Sequence, residues 1–129
     1  MTTQSLSEVA VVDDDYAVLE SVEDLLNSAG YVARTFSSAR EFLDDEALDS
    51  VGCLVSDIRM PGMDGWELRS FLQKRRPGLP VILITAHEDP LNDVNSPRSA
   101  GSVWRMFRKP FEGRELLAAV KSALETNAE

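Results

Sequence analysis

Short apolar runs alternate with helical patterns along the chain. Four of these runs end in a chemically distinctive polar residue: residues 9–12 before Asp13, 53–56 before Asp57, 81–84 before Thr85, and the less regular run 103–108 before Lys109. Apolar runs without alternation are typical of strands buried on both faces, as in a parallel sheet. A fifth run, residues 31–36, predicts a further strand. The order of strands and helices therefore predicts an α/β fold around a parallel sheet.

The first two helices are predicted from apolar stripes and capping residues. One covers residues 15–28 and ends at Gly30, because glycine readily takes the left-handed conformation that closes a helix. Its apolar stripe consists of Val18, Leu19, Val22, Leu25, Leu26 and Ala29. A short second helix begins after Ser38, which is followed three residues later by Glu41 in a capping-box pattern. The residues expected on its buried side are Phe42 and Leu43.

Two further helices are predicted in the second half of the chain. One covers residues 65–75 behind Asp64, a favourable N-cap residue. The residues expected on its inner face are Leu68, Phe71 and Leu72. The last helix covers residues 112–124, and its apolar face consists of Leu116, Leu117, Val120 and Leu124. Residues 87–101 contain two prolines and few apolar side chains, which predicts a long loop or a short, irregular fourth helix.

Length and composition indicate one ordinary domain. The chain has 129 residues, with a core expected at about residues 8–125 and polar tails at 1–7 and 126–129. A net charge of -9 repels nucleic acid phosphates and anionic membranes, so we expect no direct binding to either. The single cysteine, Cys53, lies in an apolar run and is expected to be a buried hydrophobic residue. Without a secretory signal or a spanning apolar run, we expect a cytoplasmic location.

The polar residues that end the strands have complementary chemistry. Because the carboxyl ends of parallel strands meet at one edge of the sheet, we expect Asp13, Asp14 and Asp57 to lie close together. Two carboxylates about 4 Å apart repel each other by ~4 kcal/mol at an effective dielectric constant of about 20. The three acids therefore need a bound cation or raised pKa values. Oxygen ligands alone favour Mg²⁺, with Mn²⁺ as the alternative, over zinc.

Such a cation suits phosphoryl transfer, because it neutralises the oxygens of the transferring group. Asp57 stands alone at the end of a central apolar run and is the best candidate for a nucleophile that forms an acyl phosphate. The hydroxyl of Thr85 can donate to one phosphoryl oxygen, and the ammonium of Lys109 can pair with another. The sequence therefore predicts a phosphoryl-handling site at one edge of the sheet.

Four motifs in this order resemble the receiver domain of response regulators in two-component signal transduction. They are residues 11–15 (VVDDD), 57–65 (DIRMPGMDG), 85–86 (TA) and 109–111 (KPF). Each motif alone is weakly or moderately specific, but the resemblance extends over about residues 8–125. It implies a flavodoxin-like, doubly wound fold: a five-stranded parallel sheet in the strand order 2-1-3-4-5, with helices on both faces.

The resemblance also implies which residues form the metal site. Asp57 would be the phosphoacceptor and a metal ligand. Asp14 would bind Mg²⁺ directly, and Asp13 would bind it through water. The backbone carbonyl of Arg59 would be a further ligand.

The last two motifs are implied to act on the phosphoryl group itself. Thr85 would be the switch hydroxyl that moves toward it, Lys109 would contact its oxygens, and the small Ala86 would leave room for a phosphodonor or water. The resemblance further implies a cis peptide bond between Lys109 and Pro110, against a base rate of ~5% for bonds before proline.

One segment departs from the family pattern. Receivers usually carry an aromatic residue three positions before the lysine, where this chain has Met106. The segment 101–109 is also one residue longer than usual. Two interpretations are open: the strand carries a bulge, or Phe107 takes the aromatic role in a shifted register.

Other conspicuous residues have ordinary structural explanations. Asp15 and Asp64 are expected at helix N-termini. His87 is expected to be a solvated loop residue. Trp66 and Trp104 are expected to be packing or surface aromatics rather than parts of a cofactor site.

The expected function is a phosphorylation-controlled signalling module. Asp57 would accept a phosphoryl group from a histidine kinase or a histidine phosphotransfer protein in a Mg²⁺-dependent reaction, and this would switch binding to a downstream protein partner. The chain would catalyse only its own phosphorylation and slow dephosphorylation, so we do not expect an enzyme in the usual sense. We expect either a stand-alone regulator without an output domain or a receiver excised from a longer protein.

Two other functions stay open. A phosphorylation-independent interaction domain would keep the receiver fold alone, although the intact set of site residues argues against it. A small Mg²⁺-dependent aspartyl-phosphate phosphatase generally has a second carboxylate two residues after its nucleophile, where this chain has Arg59. A nucleotide-binding fold has little support, because no glycine-rich phosphate loop follows the first strand.

Overall fold

The apolar runs form one parallel sheet in the computed structural model, which describes residues 8–85, 105–109 and 111–127. The strands are β1 (Glu8–Val12), β2 (Val32–Phe36), β3 (Cys53–Asp57), β4 (Val81–Thr85) and β5 (Arg105–Arg108). The helices are α1 (Tyr16–Ser28), α2 (Ala39–Leu43), α3 (Ala47–Ser50), α4 (Gly65–Arg75) and α5 (Gly113–Asn127). The strand order is β2-β1-β3-β4-β5, and all neighbouring strands are parallel. This confirms the predicted fold class and strand order.

Side chains alternate between the two faces of the sheet, so that each face packs against its own helices. The core on one face, which we call the α2–α4 core, contains among others Val12, Leu54, Leu83, Phe42, Trp66 and Leu72. The core on the opposite face, which we call the α1–α5 core, contains among others Val11, Val55, Ile84, Leu26, Leu116 and Val120. Helices on both faces are thereby confirmed, and the single cysteine is buried as expected.

Capping residues set the helix ends largely as the sequence predicts. The side chain of Asp15 caps α1, and Gly30, with φ at 93°, follows its C-terminus. Ser38 caps α2. Asp64 caps α4 and forms a reciprocal capping box with Glu67. These caps fix where each chain segment leaves the sheet edge and turns into a helix.

The predicted inner face of α4 is wrong at one position. Phe71 is 43% exposed, whereas Trp66 is only 1% exposed and packs in the α2–α4 core. Leu68 and Leu72 are buried as predicted. Arg69 is buried on the same face of the helix, so the buried stripe is centred away from Phe71.

Three smaller features differ from what the sequence predicts. The short helix α3 was not predicted, because its few apolar residues give no readable period. The last helix, predicted over residues 112–124, continues to Asn127 and so enters the segment expected as a polar tail. The capping box at α2 is half formed, because the Glu41 carboxylate accepts from the backbone N–H of Ser37 instead of that of Ser38.

Several expectations fall outside the described residues. These are the irregular fourth helix, the roles of Ala86, His87 and Trp104, and the bond between Lys109 and Pro110. Within the described ranges, none of the helices combines the length and the apolar character that a membrane span requires.

Candidate functional site

Three carboxylates converge at the carboxyl edge of the sheet. The pairing of β1 with β3 aligns Val12 with Ser56, so the next residues of the two strands are Asp13 and Asp57. Asp14 follows directly in the chain, and one oxygen from each of the three side chains lies within 4.8 Å of the others. The structure thus brings together the three acids that the sequence predicts to meet.

The three acids differ in their surroundings. Asp13 is fully buried, Asp57 is 7% exposed and Asp14 is exposed. One oxygen of Asp13 accepts from the backbone N–H of Asp15 at 2.9 Å, and the other accepts from Nζ of Lys109 at 3.1 Å. Asp13 is therefore held on both oxygens, while Asp14 faces solvent at the mouth of the site.

Burial raises the pKa of both inner carboxyls. Desolvation is the main cause at Asp57 and raises its pKa to about 6, with repulsion from Asp13 adding to the effect and attraction to Lys109 opposing it. The pKa of Asp13 is also raised, again mainly by desolvation, although its hydrogen bonds and Lys109 act in the opposite direction. One ammonium does not compensate three clustered acids, so additional positive charge at the site is electrostatically favourable.

Lys109 reaches this cluster from the end of β5. Its backbone N–H donates to the carbonyl oxygen of Thr85 at 2.6 Å, which continues the pairing of β5 with β4. Its Nζ lies 3.1 Å from Oδ2 of Asp13 and 3.8 Å from Oδ1 of Asp57. The ammonium therefore stands between the two buried acids and makes its closer contact with Asp13.

Thr85 ends β4, the strand next to β3, and is buried. Leu83 belongs to the α2–α4 core and Ile84 to the α1–α5 core, so alternation assigns Thr85 to the α2–α4 face. Met106 packs against the same core and Phe107 lies in the opposite one. The side chain that shares the face of Thr85 on the neighbouring strand is thus a methionine.

Both interpretations of the unusual β5 segment are wrong within its described part. Residues Arg105–Arg108 pair with β4 one for one, without a bulge. Phe107 does not turn toward the face of Thr85 but packs near Phe111, with 6.1 Å between ring centroids. Met106 therefore stands where the family usually has an aromatic residue.

The turn after β3 is anchored at both of its ends. Ile58 donates its backbone N–H to the carbonyl of Ile84 at 3.0 Å and accepts from the backbone N–H of Gly65 at 2.8 Å. Arg59 lies within this turn, next to the acids in sequence, and is exposed. Asp64 and Asp15 cap helices, as predicted, and are not among the three clustered acids.

Sequence reasoning missed two features of the site. The close pairing of Asp13 with Lys109 was not predicted, although strand alternation indicates it: each lies two residues after a member of the α1–α5 core, Val11 and Phe107. The second feature is the buried hydroxyl of Ser56, which donates to the backbone carbonyl of Asp57 at 2.9 Å. Nothing in the apolar pattern distinguishes that serine from its neighbours.

Comparison with known proteins gives a consistent result. The family model described as the response regulator receiver domain matches residues 9–121. The response regulator protein TodT of Pseudomonas putida strain F1 is 40% identical over 119 residues, which cover 92% of this chain and 52% of TodT. The transcriptional regulatory protein FixJ of Bradyrhizobium diazoefficiens is 39% identical over 124 residues, covering 96% of this chain and 58% of FixJ. The chain thus spans a little over half the length of these relatives.

Solved structures agree with the sequence comparison. A CheY-like response regulator receiver domain protein from Methanospirillum hungatei JF-1 superimposes with a TM-score of 0.82 at 29% identity, covering 95% of this chain and 96% of that one. The fold, the family match and the relatives lead to one assignment. The chain belongs to the response regulator receiver domain family, the phosphoacceptor signalling modules of two-component systems.

Proposed function

We propose that Asp57 is the phosphoacceptor of this receiver and that it takes its phosphoryl group in a Mg²⁺-dependent reaction. The observation that carries the proposal is the convergence of Asp57 with Asp13, Asp14 and the ammonium of Lys109 at one edge of the sheet. Asp57 is the central acid of this group, because β3 lies in the middle of the sheet and ends with it.

The donor set fits a hard divalent cation. The clustered side-chain ligands are carboxylate oxygens within 4.8 Å of one another, without sulfur or imidazole among the described residues of the cluster. Such donors suit Mg²⁺, with Mn²⁺ as the alternative. Asp14 and Asp57 would bind the ion directly, Asp13 through water, and Arg59 through its backbone carbonyl. When bound, the ion supplies positive charge to the phosphoryl oxygens.

In the proposed transfer of the phosphoryl group, Asp57, Lys109 and Thr85 have different roles. A carboxylate oxygen of Asp57 attacks phosphorus and forms a new O–P bond, while the P–N bond to the donor histidine breaks and its electron pair stays on the imidazole nitrogen. With a pKa of about 6, the carboxyl is mostly ionised at neutral pH and can act as the nucleophile. Lys109 pairs with one phosphoryl oxygen, and the hydroxyl of Thr85 donates to another as the switch.

The proposed role is that of a signal carrier rather than a turnover enzyme. Attack of water on the acyl phosphate returns the free carboxylate and inorganic phosphate, and the chain offers no second carboxylate at position 59 to speed this step. The donor would be a histidine kinase or a histidine phosphotransfer protein, and the output would be altered binding to a protein partner. We further propose a cytoplasmic location and one receiver domain over residues 1–129.

The experiment is phosphorylation by a small donor. The protein is incubated with Mg²⁺ and acetyl phosphate, and its intact mass is measured. We expect a gain of one phosphoryl group in the wild type and in Asp44→Asn, an exposed aspartate away from the cluster, but none in Asp57→Asn. Retention of the adduct in Asp57→Asn contradicts the assignment. No adduct despite bound Mg²⁺ indicates an interaction domain, and rapid turnover of varied phosphoesters indicates a phosphatase.

A further inference from the structure

The backbone of Asp57 packs against a glycine that has no room for a side chain. A Cβ added to Gly65 would lie 2.6 Å from the carbonyl oxygen of Asp57 and 2.9 Å from Cα of Ile58. Gly65 does not have a positive φ, so close approach, and not backbone conformation, accounts for glycine at this position. The first residue of α4 is therefore in direct contact with the peptide that follows Asp57.

The same carbonyl is held from a second direction. Ser56 is fully buried, and its hydroxyl donates to the carbonyl oxygen of Asp57 at 2.9 Å. The adjoining residue, Ile58, is bonded through its N–H to Ile84 at 3.0 Å and through its carbonyl to the N–H of Gly65 at 2.8 Å. We call Ser56 and Gly65, which approach the Asp57 carbonyl from two directions, the carbonyl clamp.

We propose that Ser56 and Gly65 are positioning residues for the reaction at Asp57. The inference rests on the proposed function, because it assumes that the carboxylate of Asp57 is the reacting group. The clamp fixes the peptide plane after Asp57 and thereby the direction of its side chain toward Asp13 and Lys109. It also fixes the start of the turn that carries the carbonyl of Arg59. Neither clamp residue touches the phosphoryl group itself.

The first test introduces a methyl group at the contact. In Gly65→Ala the new Cβ must displace the Asp57 peptide or the start of α4, since the contacted atoms are backbone. We expect Mg²⁺ affinity, measured by titration calorimetry, and the acetyl phosphate reaction rate to fall about 10-fold or more, as for other supports of metal sites. The control is Gly78→Ala, where a Cβ meets no atom within 4 Å in the described part of the chain.

The second test separates the hydroxyl of Ser56 from its volume. Ser56→Thr keeps the hydroxyl, and Ser56→Val has the shape of threonine without a hydroxyl. A difference in reaction rate between these two variants therefore reports the hydrogen bond to the Asp57 carbonyl. Both variants add a methyl group at this fully buried position, so Ser56→Thr, and not the wild type, gives the reference rate. Ser56→Val should react about five-fold more slowly, as expected for the loss of one neutral hydrogen bond. This pair also decides the matter if Gly65→Ala does not fold.

The inference is overturned if the folded variants lose stability while their Mg²⁺ affinity and rate per folded molecule equal those of the wild type. Equal rates in Ser56→Thr and Ser56→Val overturn the role of the hydroxyl. Failure of the proposed function has a different signature, because the wild type itself then takes up no phosphoryl group. In that case the Mg²⁺ affinities of the same variants still test the clamp.

Discussion

At the scale of single residues, burial determines the behaviour of the acids. Asp13 and Asp57 are almost completely withdrawn from water, and one ammonium lies near both. The ionised form of Asp57 is consequently less favourable in the folded chain than in the unfolded chain, where its pKa is near the ordinary value of 3.8. The site therefore lowers the stability of the metal-free protein, which is common where function requires clustered charge.

This imbalance predicts a pH dependence of stability. The folded state binds a proton at Asp57 up to pH about 6, whereas the unfolded state loses it near 3.8, so the free energy of unfolding falls as pH rises between these values. Above pH 6 the penalty stays constant, at about 1–3 kcal/mol. Asp57→Asn should remove it. In urea unfolding without divalent ions, the mutant should be more stable than the wild type at pH 7.5 and lose this advantage toward pH 4.

The matched control for this experiment is Asp44→Asn, which removes an exposed carboxylate outside the cluster. Its stability should follow that of the wild type across the whole pH range. A constant difference between Asp57→Asn and the wild type from pH 4 to 7.5 contradicts the explanation by desolvation.

At the scale of elements, α4 illustrates what a sequence pattern misses. Phe71 is apolar and was expected inside, but Arg69 occupies the buried face, with its guanidinium carbon 5.8 Å from the centre of the Trp66 ring. A pattern of apolar residues cannot predict that a charged residue such as arginine is buried. The caps at Asp15 and Asp64 were predictable, because capping depends on local hydrogen bonds alone.

The corrected face of α4 predicts unequal costs for two truncations. Leu72→Ala removes a side chain that is 1% exposed and should lower the free energy of unfolding by about 2–5 kcal/mol. Phe71→Ala removes one that is 43% exposed and should cost less than about 1 kcal/mol. Urea unfolding of both variants measures the difference. Equal losses would mean that Phe71 is part of the core after all.

At the scale of the whole molecule, the sheet could be predicted because its three central strands, β1, β3 and β4, are short apolar runs that end in or lead directly into a polar residue. The periodicity did not determine the strand order, which came from the resemblance to receivers. The convergence of Asp13, Asp14 and Asp57 followed from parallel strands sharing an edge. The closer contact of Lys109 with Asp13 could not be predicted in this way, because it depends on the side-chain geometry between β1 and β5.

The convergence of the three acids in the folded chain predicts that Mg²⁺ stabilises the protein. An ion that binds only the folded chain raises the free energy of unfolding by about 2.7 kcal/mol when its concentration is 100 times Kd. The thermal midpoint should therefore rise with Mg²⁺ at constant ionic strength, and much less in Asp14→Asn. The control Asp44→Asn should respond like the wild type. An equal rise in all three proteins would indicate a general salt effect on a chain of net charge -9.

Chemical trapping of the acyl phosphate locates the phosphoryl group on the chain. The protein is phosphorylated with acetyl phosphate and Mg²⁺, then treated with borohydride, which reduces an acyl phosphate to an alcohol, and its peptides are analysed by mass spectrometry. We expect the reduced side chain to be that of Asp57, and we expect no reduced product when Mg²⁺ is omitted. Reduction at Asp13 or Asp14, or labelling that does not require a divalent ion, would contradict the proposed reaction at Asp57.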